Sequence, residues 1–209
     1  MKLNDYLVDQ YADFYLQHNL NVSLYVHEFT SAFPVDYISS PEIAFLKSMK
    51  AGLKGQNHSP KLILRIPNKQ GLEPTTNVTY QSILNNLRTV ATYASGILVP
   101  KELIWPTSNA LYLEDETTLV REAHAAGLTI YASGFANDVT DLAYNYSFDP
   151  IREYLQFVPR RGSKVDGFLT DSPTTASDAL GKEASQFLKH LCSCTVVWNL
   201  YETHEGSGF

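Results

Sequence analysis

The chain has 209 residues, 44% hydrophobic and 18% charged, with 16 Lys and Arg against 22 Asp and Glu for a formal net charge of −6. That length suffices to bury a sizeable core in one domain, and the absence of any Lys/Arg run argues against the basic face of a nucleic-acid binder. No apolar run approaches the roughly 18 residues of a membrane span, and the first 15 residues, with Asp5, Asp9 and Asp13, lack the apolar centre of a secretion signal.

Residues 1–34 read as a helical or irregular segment, with Tyr6, Leu7, Tyr11, Phe14 and Tyr15 favouring a helix over a strand. The first strand pattern is 35–40 (VDYISS), and Ile43, Leu46, Met49 and Leu53 predict a helix behind Pro41. The second is 61–66 (KLILRI), followed by a helical stripe of Ile83, Leu84, Leu87, Val90, Ala91 and Ala94. The third is 95–100 (SGILVP). After it come Glu114, Asp115 and Glu116, placed to meet a helix dipole, then a stripe of Leu119, Val120, Ala123 and Ala126 that Gly127 stops. The fourth is 129–135 (TIYASGF), and Asp149-Pro150 opens the next helix, carrying Ile151, Tyr154, Leu155 and Val158. The fifth is 166–171 (DGFLTD), ahead of a stripe of Ala176, Leu180, Ala184, Phe187, Leu188 and Leu191. Residues 192–209 form an unassigned tail. Its Cys192 and Cys194 read as free thiols, and Thr195–Tyr201 stays open between an extra strand, a helix extension and unrelated sequence.

Alternating strands and helices give an α/β fold with a parallel sheet and right-handed crossovers. Five βα units fall short of the eight in a closed barrel. Residues 35–191 are therefore expected to form an incomplete TIM (β/α)8 barrel, whose two open edges are expected to drive self-association.

In such a fold the site lies at the carboxyl ends of the strands. Those positions hold Ser39, Ser40 and Glu42, then Arg65, then Lys101 and Trp105, then Asn137 and Asp138, then Thr170 and Asp171. Arg65 and Lys101 suit a phosphate, by fork and by point charge. Asp138 and Asp171 suit orienting those cations or holding a metal, and Trp105 offers a flat apolar wall. The plainer reading of Asp171-Ser-Pro-Thr is a capped turn. Among the histidines, His27-Glu28 lacks the second His of an H-E-x-x-H pair and His124 reads as a helix residue. His18, His58, His190 and His204 have no partners nearby in sequence.

Four glycosylation sequons occur, at Asn21, Asn57, Asn77 and Asn145. They point to a secreted or cell-surface glycoprotein, and in the absence of a secretion signal they create the expectation of a missing natural N-terminus.

Five phrases, "EPTTNVTY" (73–80), "SGILVPKELIWP" (95–106), "YASGFANDV" (131–139), "NYSFDPIREYLQF" (145–157) and "VDGFLTDSPTTASDAL" (165–180), together resemble the C-terminal part of the glycerophosphodiester phosphodiesterases, above all their plant secreted and cell-surface branch. The resemblance spans roughly residues 35–180. It implies a (β/α)8 barrel with "VDGFLTDSP" as its final strand. It also implies hydrolysis of a small-molecule glycerophosphodiester to glycerol 3-phosphate and an alcohol, using a divalent cation (Ca or Mg) and paired histidines. The family's His-Arg-Gly, its Glu-x-Asp pair and its second histidine are not found, and residues 160–162 read Arg-Arg-Gly. The chain is thus expected to carry the scaffold without the catalytic half and to be inactive alone. The alternative is a non-catalytic cell-surface or wall-associated glycoprotein that uses the barrel as an interaction surface.

Overall fold

A computed structural model describes residues 2–4, 6–8, 15, 17–19, 21–32, 35–53, 59–137, 142–158, 164–187 and 195–197. Two short strands come first, β1 (Lys2–Asn4) and β2 (Tyr6–Val8), followed by helix α1 (Val22–Ala32). The five strands read from the sequence then appear in order. They are β3 (Tyr37–Ser40), β4 (Lys61–Arg65), β5 (Gly96–Pro100), β6 (Thr129–Phe135) and β7 (Gly167–Thr170), and each pairs in parallel with the next. A last strand, β8 (Thr195–Val197), pairs with β7.

The N-terminal segment corrects the helical-or-irregular expectation in part. It supplies α1, but Tyr6, Leu7 and Val8 lie in β2, because pairing with β3 outweighs a weak local helical stripe. In the tail, the β-branched Thr195-Val196-Val197 settles on the strand option.

The sheet order is β1-β8-β7-β6-β5-β4-β3-β2. Asp5 alone separates β1 from β2, so both edges of the sheet are taken by one stretch of chain. Followed round from Lys2 through Thr195, Gly167, Tyr131, Leu98 and Arg65, the register returns to that stretch about eight residues further on. That is the stagger of a TIM barrel, reached with one strand position fewer than eight. The edges expected to be open are covered from within the molecule. The protein is expected to sediment as a monomer, and removal of residues 2–8, which uncovers β3 and β8, to produce larger species in sedimentation velocity.

The two faces of the sheet are separate. Tyr37, Ile63, Leu98, Tyr131 and Leu169 line the inside, with the Tyr37 and Tyr131 rings 5.6 Å apart edge to face. Ile38, Leu64, Ile97, Val99, Ile130, Ala132 and Phe168 face outward under the helices. Those helices are α2 (Ile43–Gly52), α3 (Tyr80–Leu84), α4 (Leu87–Val90), α5 (Leu119–Ala125), α6 (Pro150–Gln156) and α7 (Pro173–Phe187). Each large side chain buried between the layers contributes about 1.5–3 kcal/mol. Gly96 leaves the inside no slack, since a Cβ there would stand 2.2 Å from Thr129 Oγ1. Gly134, at φ +89°, sits in a register shift between Ala132 and Phe135. The shift changes the side-chain parity of β6, so Phe135 joins Tyr154, Phe157 and Phe168 on the outer face.

One predicted helix is two. The 83–94 stripe is buried as expected, except for half-buried Ala91, but α3 and α4 are split at Asn85-Asn86, where Asn86 has φ −135° and ψ 59°. Asn side chains compete for backbone groups and disfavour helix interiors. The other punctuation holds. Gly127 takes φ +78° after α5, with its N–H on His124 O and Leu128 N–H on Ala123 O, each 3.0 Å. Asp149 accepts the Ile151 N–H at 3.0 Å, with Pro150 opening α6. Leu188, Leu191, Cys192, Cys194, His58, His190, His204, Asn57, Asp138 and residues 160–162 lie outside the described residues.

Candidate functional site

At the carboxyl ends of the strands the inward face continues upward with period two. Ser39 follows Tyr37, Arg65 follows Ile63, Ser133 follows Tyr131 and Asp171 follows Leu169, each by two residues. Arg65 thus ends the inward face of β4, while Asp171 lies in the bend just after β7, at the same end of the sheet. Ser39 is fully buried, and its Oγ meets no hydrogen-bond partner among the described residues. The Ser133 hydroxyl, which the sequence did not single out, donates to Val99 O at 3.2 Å.

The wall above β3 and β4 is polar and buried. The Glu42 N–H donates to Ser40 Oγ at 3.0 Å. Glu73, in the loop after β4, is completely buried. Its Oε1 accepts the Ile43 N–H at 2.8 Å and the Thr75 hydroxyl at 2.6 Å, while Oε2 accepts the N–H and hydroxyl of Thr76. Burial pushes this carboxyl up, but the bonds from Thr75, Thr76 and Ile43 prevail and hold it below the usual glutamate value. The Tyr80 hydroxyl donates to Pro41 O at 3.1 Å and is pushed up to about 12, by burial first and then by Glu73, against the opposing charge of Arg65. Sequence reading missed Glu73. Its local signal is a carboxylate with hydroxyls two and three residues on, but the helix it caps lies 30 residues earlier.

Between the ends of β5 and β6 lies a second feature. Lys101, in the 3-10 turn Lys101–Leu103, points to the outer side of the sheet. It forms an ion pair of 2.7 Å with Glu153 of α6, and its Nζ stands 5.3 Å over the Phe135 ring. Lys101 and Glu153 side chains are 14% and 4% exposed, so the lysine charge is largely committed to that carboxylate. Burial pushes Glu153 up, while the hydrogen bond and charge of Lys101 hold it back. Beside the pair runs a cleft of about 370 Å³, lined by Trp105, Tyr146, Phe157 and Glu102 among others. Trp105 Nε1 is buried with no hydrogen-bond partner among the described residues. Glu153 was also missed, since a charged residue inside an apolar helical stripe gives no sign of its partner.

The remaining strand-end residues tie elements together. Asn137 Nδ2 donates to Thr175 Oγ1 at 2.8 Å, fixing the loop after β6 to α7. Thr170 Oγ1 bonds Phe135 O, the Tyr154 hydroxyl and the Ser172 N–H. His124 Nε2 meets Asp166 Oδ2 at 2.9 Å just before β7, at the amino ends of the strands, and His27 lies against Gly52 at the far end of α2. Neither histidine is at the mouth. For the divalent cation implied by the resemblance, the described residues do not fit. Among the described residues no group of three His, Cys, Asp or Glu is close enough to hold a metal ion, the four donors on Glu73 are all from the protein, and Glu153 is held by Lys101.

Of the sequons, Asn21 caps α1 by accepting the Leu24 N–H at 3.0 Å, and Asn145 accepts the Leu113 N–H at 2.9 Å. Asn77 is exposed in a turn at φ +54°.

No protein-family model matches the chain. Curated relatives do. The chain is 50% identical to the Arabidopsis thaliana protein SUPPRESSOR OF NPR1-1 CONSTITUTIVE 4 over 80% of its own length and 15% of that protein's. It is 50% identical to the Arabidopsis thaliana glycerophosphodiester phosphodiesterases GDPDL3 and GDPDL1, over 82% of its own length and 22% of theirs. The chain therefore spans less than a quarter of the relatives it matches.

Proposed function

Because the chain belongs to the glycerophosphodiester phosphodiesterase family, we propose that it forms the substrate-holding wall of a barrel that hydrolyses a glycerophosphodiester to glycerol 3-phosphate and an alcohol. The observation that carries this reading is Arg65 on the inward face at the end of β4, with the Ser39 hydroxyl, which has no hydrogen-bond partner among the described residues, on the neighbouring strand. A guanidinium offers two parallel donors to a phosphodiester, and a buried hydroxyl adds a third.

Cleavage also needs charge neutralisation on the phosphoryl oxygens and a proton for the leaving alkoxide. We assign the paired histidines and the Ca or Mg ion of the family chemistry to groups other than His27, His124 and the carboxylates described above. The chain alone is then expected to bind the substrate without turning it over. Residence outside the cell, with a glycan on exposed Asn77, belongs to the same proposal.

Titration calorimetry with glycerol 3-phosphate tests the reading. Arg65→Met is expected to weaken binding about 10–100-fold, the worth of hydrogen bonds to a charged group. Equal affinity in the two proteins would contradict it. The alternative, a non-catalytic cell-surface glycoprotein, draws on the position of His27 and His124 away from the mouth. Absence of any glycerol 3-phosphate binding would favour it.

A further inference from the structure

Three large rings stand out into solvent at one place on the surface. Tyr112, Tyr144 and Phe148 are 55%, 46% and 72% exposed, and the Tyr144 centroid is 5.4 Å from Tyr112 and 6.0 Å from Phe148. The row rests on a built base. Thr107 bridges Leu113, the Tyr112 carbonyl accepts the Ser108 N–H at 2.8 Å, and the Leu111 carbonyl accepts the Tyr144 N–H at 2.8 Å. Leu142, Ala143 and Tyr146 are buried beside Leu113 in a small core of their own. Leu111, Ser147 and Phe148 take φ of +58°, +54° and +58°, left-handed backbone that residues with a Cβ rarely adopt. Such strain gathers where a site is shaped, and here it holds Phe148 in water beside Tyr144. Contiguous exposed rings mark a surface that something covers. Residues 107–113 and 142–148 contain no charged side chain, which favours a neutral occupant. The rings are tilted by 59° and 75° to one another, so they form a cradle suited to a single sugar and not a flat shelf for a polymer.

Asn145 lies within this patch, exposed, as the first residue of the sequon Asn145-Tyr146-Ser147. Its Oδ1 accepts the Leu113 N–H at 2.9 Å, one residue from Tyr112, and its Nδ2 meets no partner among the described residues. We propose that Asn145 carries an N-linked glycan whose first N-acetylglucosamine packs against Tyr112, Tyr144 and Phe148 and ties the loop after β5 to the loop after β6. The C–H groups on one side of a pyranose meet the negative ring faces, while its hydroxyls stay in water. In the transfer, Nδ2 loses a proton and bonds to C1 of the sugar, as the C1–O bond to a lipid diphosphate donor breaks and the diphosphate leaves. Oδ1 takes no part in that step and keeps the Leu113 N–H. The claim rests on the proposed function only for residence outside the cell, which takes the chain through the compartment where this transfer occurs.

The test compares the whole chain made in bacteria, which is bare, with the same chain secreted from yeast and trimmed to single N-acetylglucosamines. Peptide mapping is expected to find Asn145 modified in the secreted chain. Phe148→Ser and Tyr144→Ser, both at exposed positions, are each expected to lower Tm by about 2–4 °C more in the trimmed chain than in the bare one. Sugars at the other sequons cancel in that difference. An unmodified Asn145, or equal losses in the two forms for both variants, would overturn the proposal. Titration of the bare chain with glycerol 3-phosphate judges the diester reading separately, because it needs no glycan.

Discussion

Replacing Glu73 by alanine is expected to destabilise the protein by about 3 kcal/mol or more at neutral pH. Four donors converge on this buried carboxylate, two of them the backbone N–H groups of Ile43 and Thr76. Bonds to a charged group contribute about 1.5–3 kcal/mol each, and a buried donor left unpaired costs about 1–3 kcal/mol. The loss extends to α2, whose own N-cap, Glu42, makes no side-chain cap bond. Glu73 reaches its first N–H from another loop and places negative charge at the positive end of the helix. Because the folded carboxyl lies below its ordinary value, the contribution is present above the unfolded value of about 4.3 and is lost as pH falls through the folded one. Glu73→Gln is therefore expected to flatten the acid side of the stability profile. Urea unfolding at pH 7 and through the range about 3–6 checks both effects, and an unchanged midpoint in Glu73→Ala would refute them.

Removing either member of the Lys101–Glu153 pair is expected to have an effect of the same order. Glu153→Ala leaves an ammonium with little access to water, and Lys101→Met leaves a carboxylate that burial already pushes up. Breaking a buried pair from one side costs about 3–5 kcal/mol, while replacing both charges by apolar groups of similar volume is often neutral. The double variant Lys101→Met with Glu153→Leu should recover most of the loss, because Phe135 and Phe157 already provide apolar surroundings. A double-mutant cycle measures the coupling. Additive losses in the double variant would show that the pair does not act as a unit.

What could be read from the sequence follows from how each element is stabilised. Strands β3 to β7 are apolar on both faces because helices cover one side and the barrel interior the other, so VDYISS, KLILRI, SGILVP, TIYASGF and DGFLTD announce themselves. Strands β1, β2 and β8 are three residues each and owe their form to the neighbours they pair with. Local pattern carries no such information, and the self-covered edges went unforeseen. Strand-end reasoning put Arg65 at the carboxyl end of β4 and Asp171 just after β7, and the structure has them there. It grouped Lys101 with Arg65, whereas the two lie on opposite faces of the sheet, because residue parity along β5 sends Lys101 toward α6. Glu73 and Glu153 stayed hidden because their roles depend on contacts across elements.

The most direct test is to offer glycerophosphocholine to the purified chain with Mg or Ca, following both binding and the release of choline. Saturable binding that depends on Arg65, with no choline released above the buffer rate, is the predicted outcome. Turnover by the chain unaided would contradict it, since His27 and His124 are held at the opposite end of the barrel from the mouth.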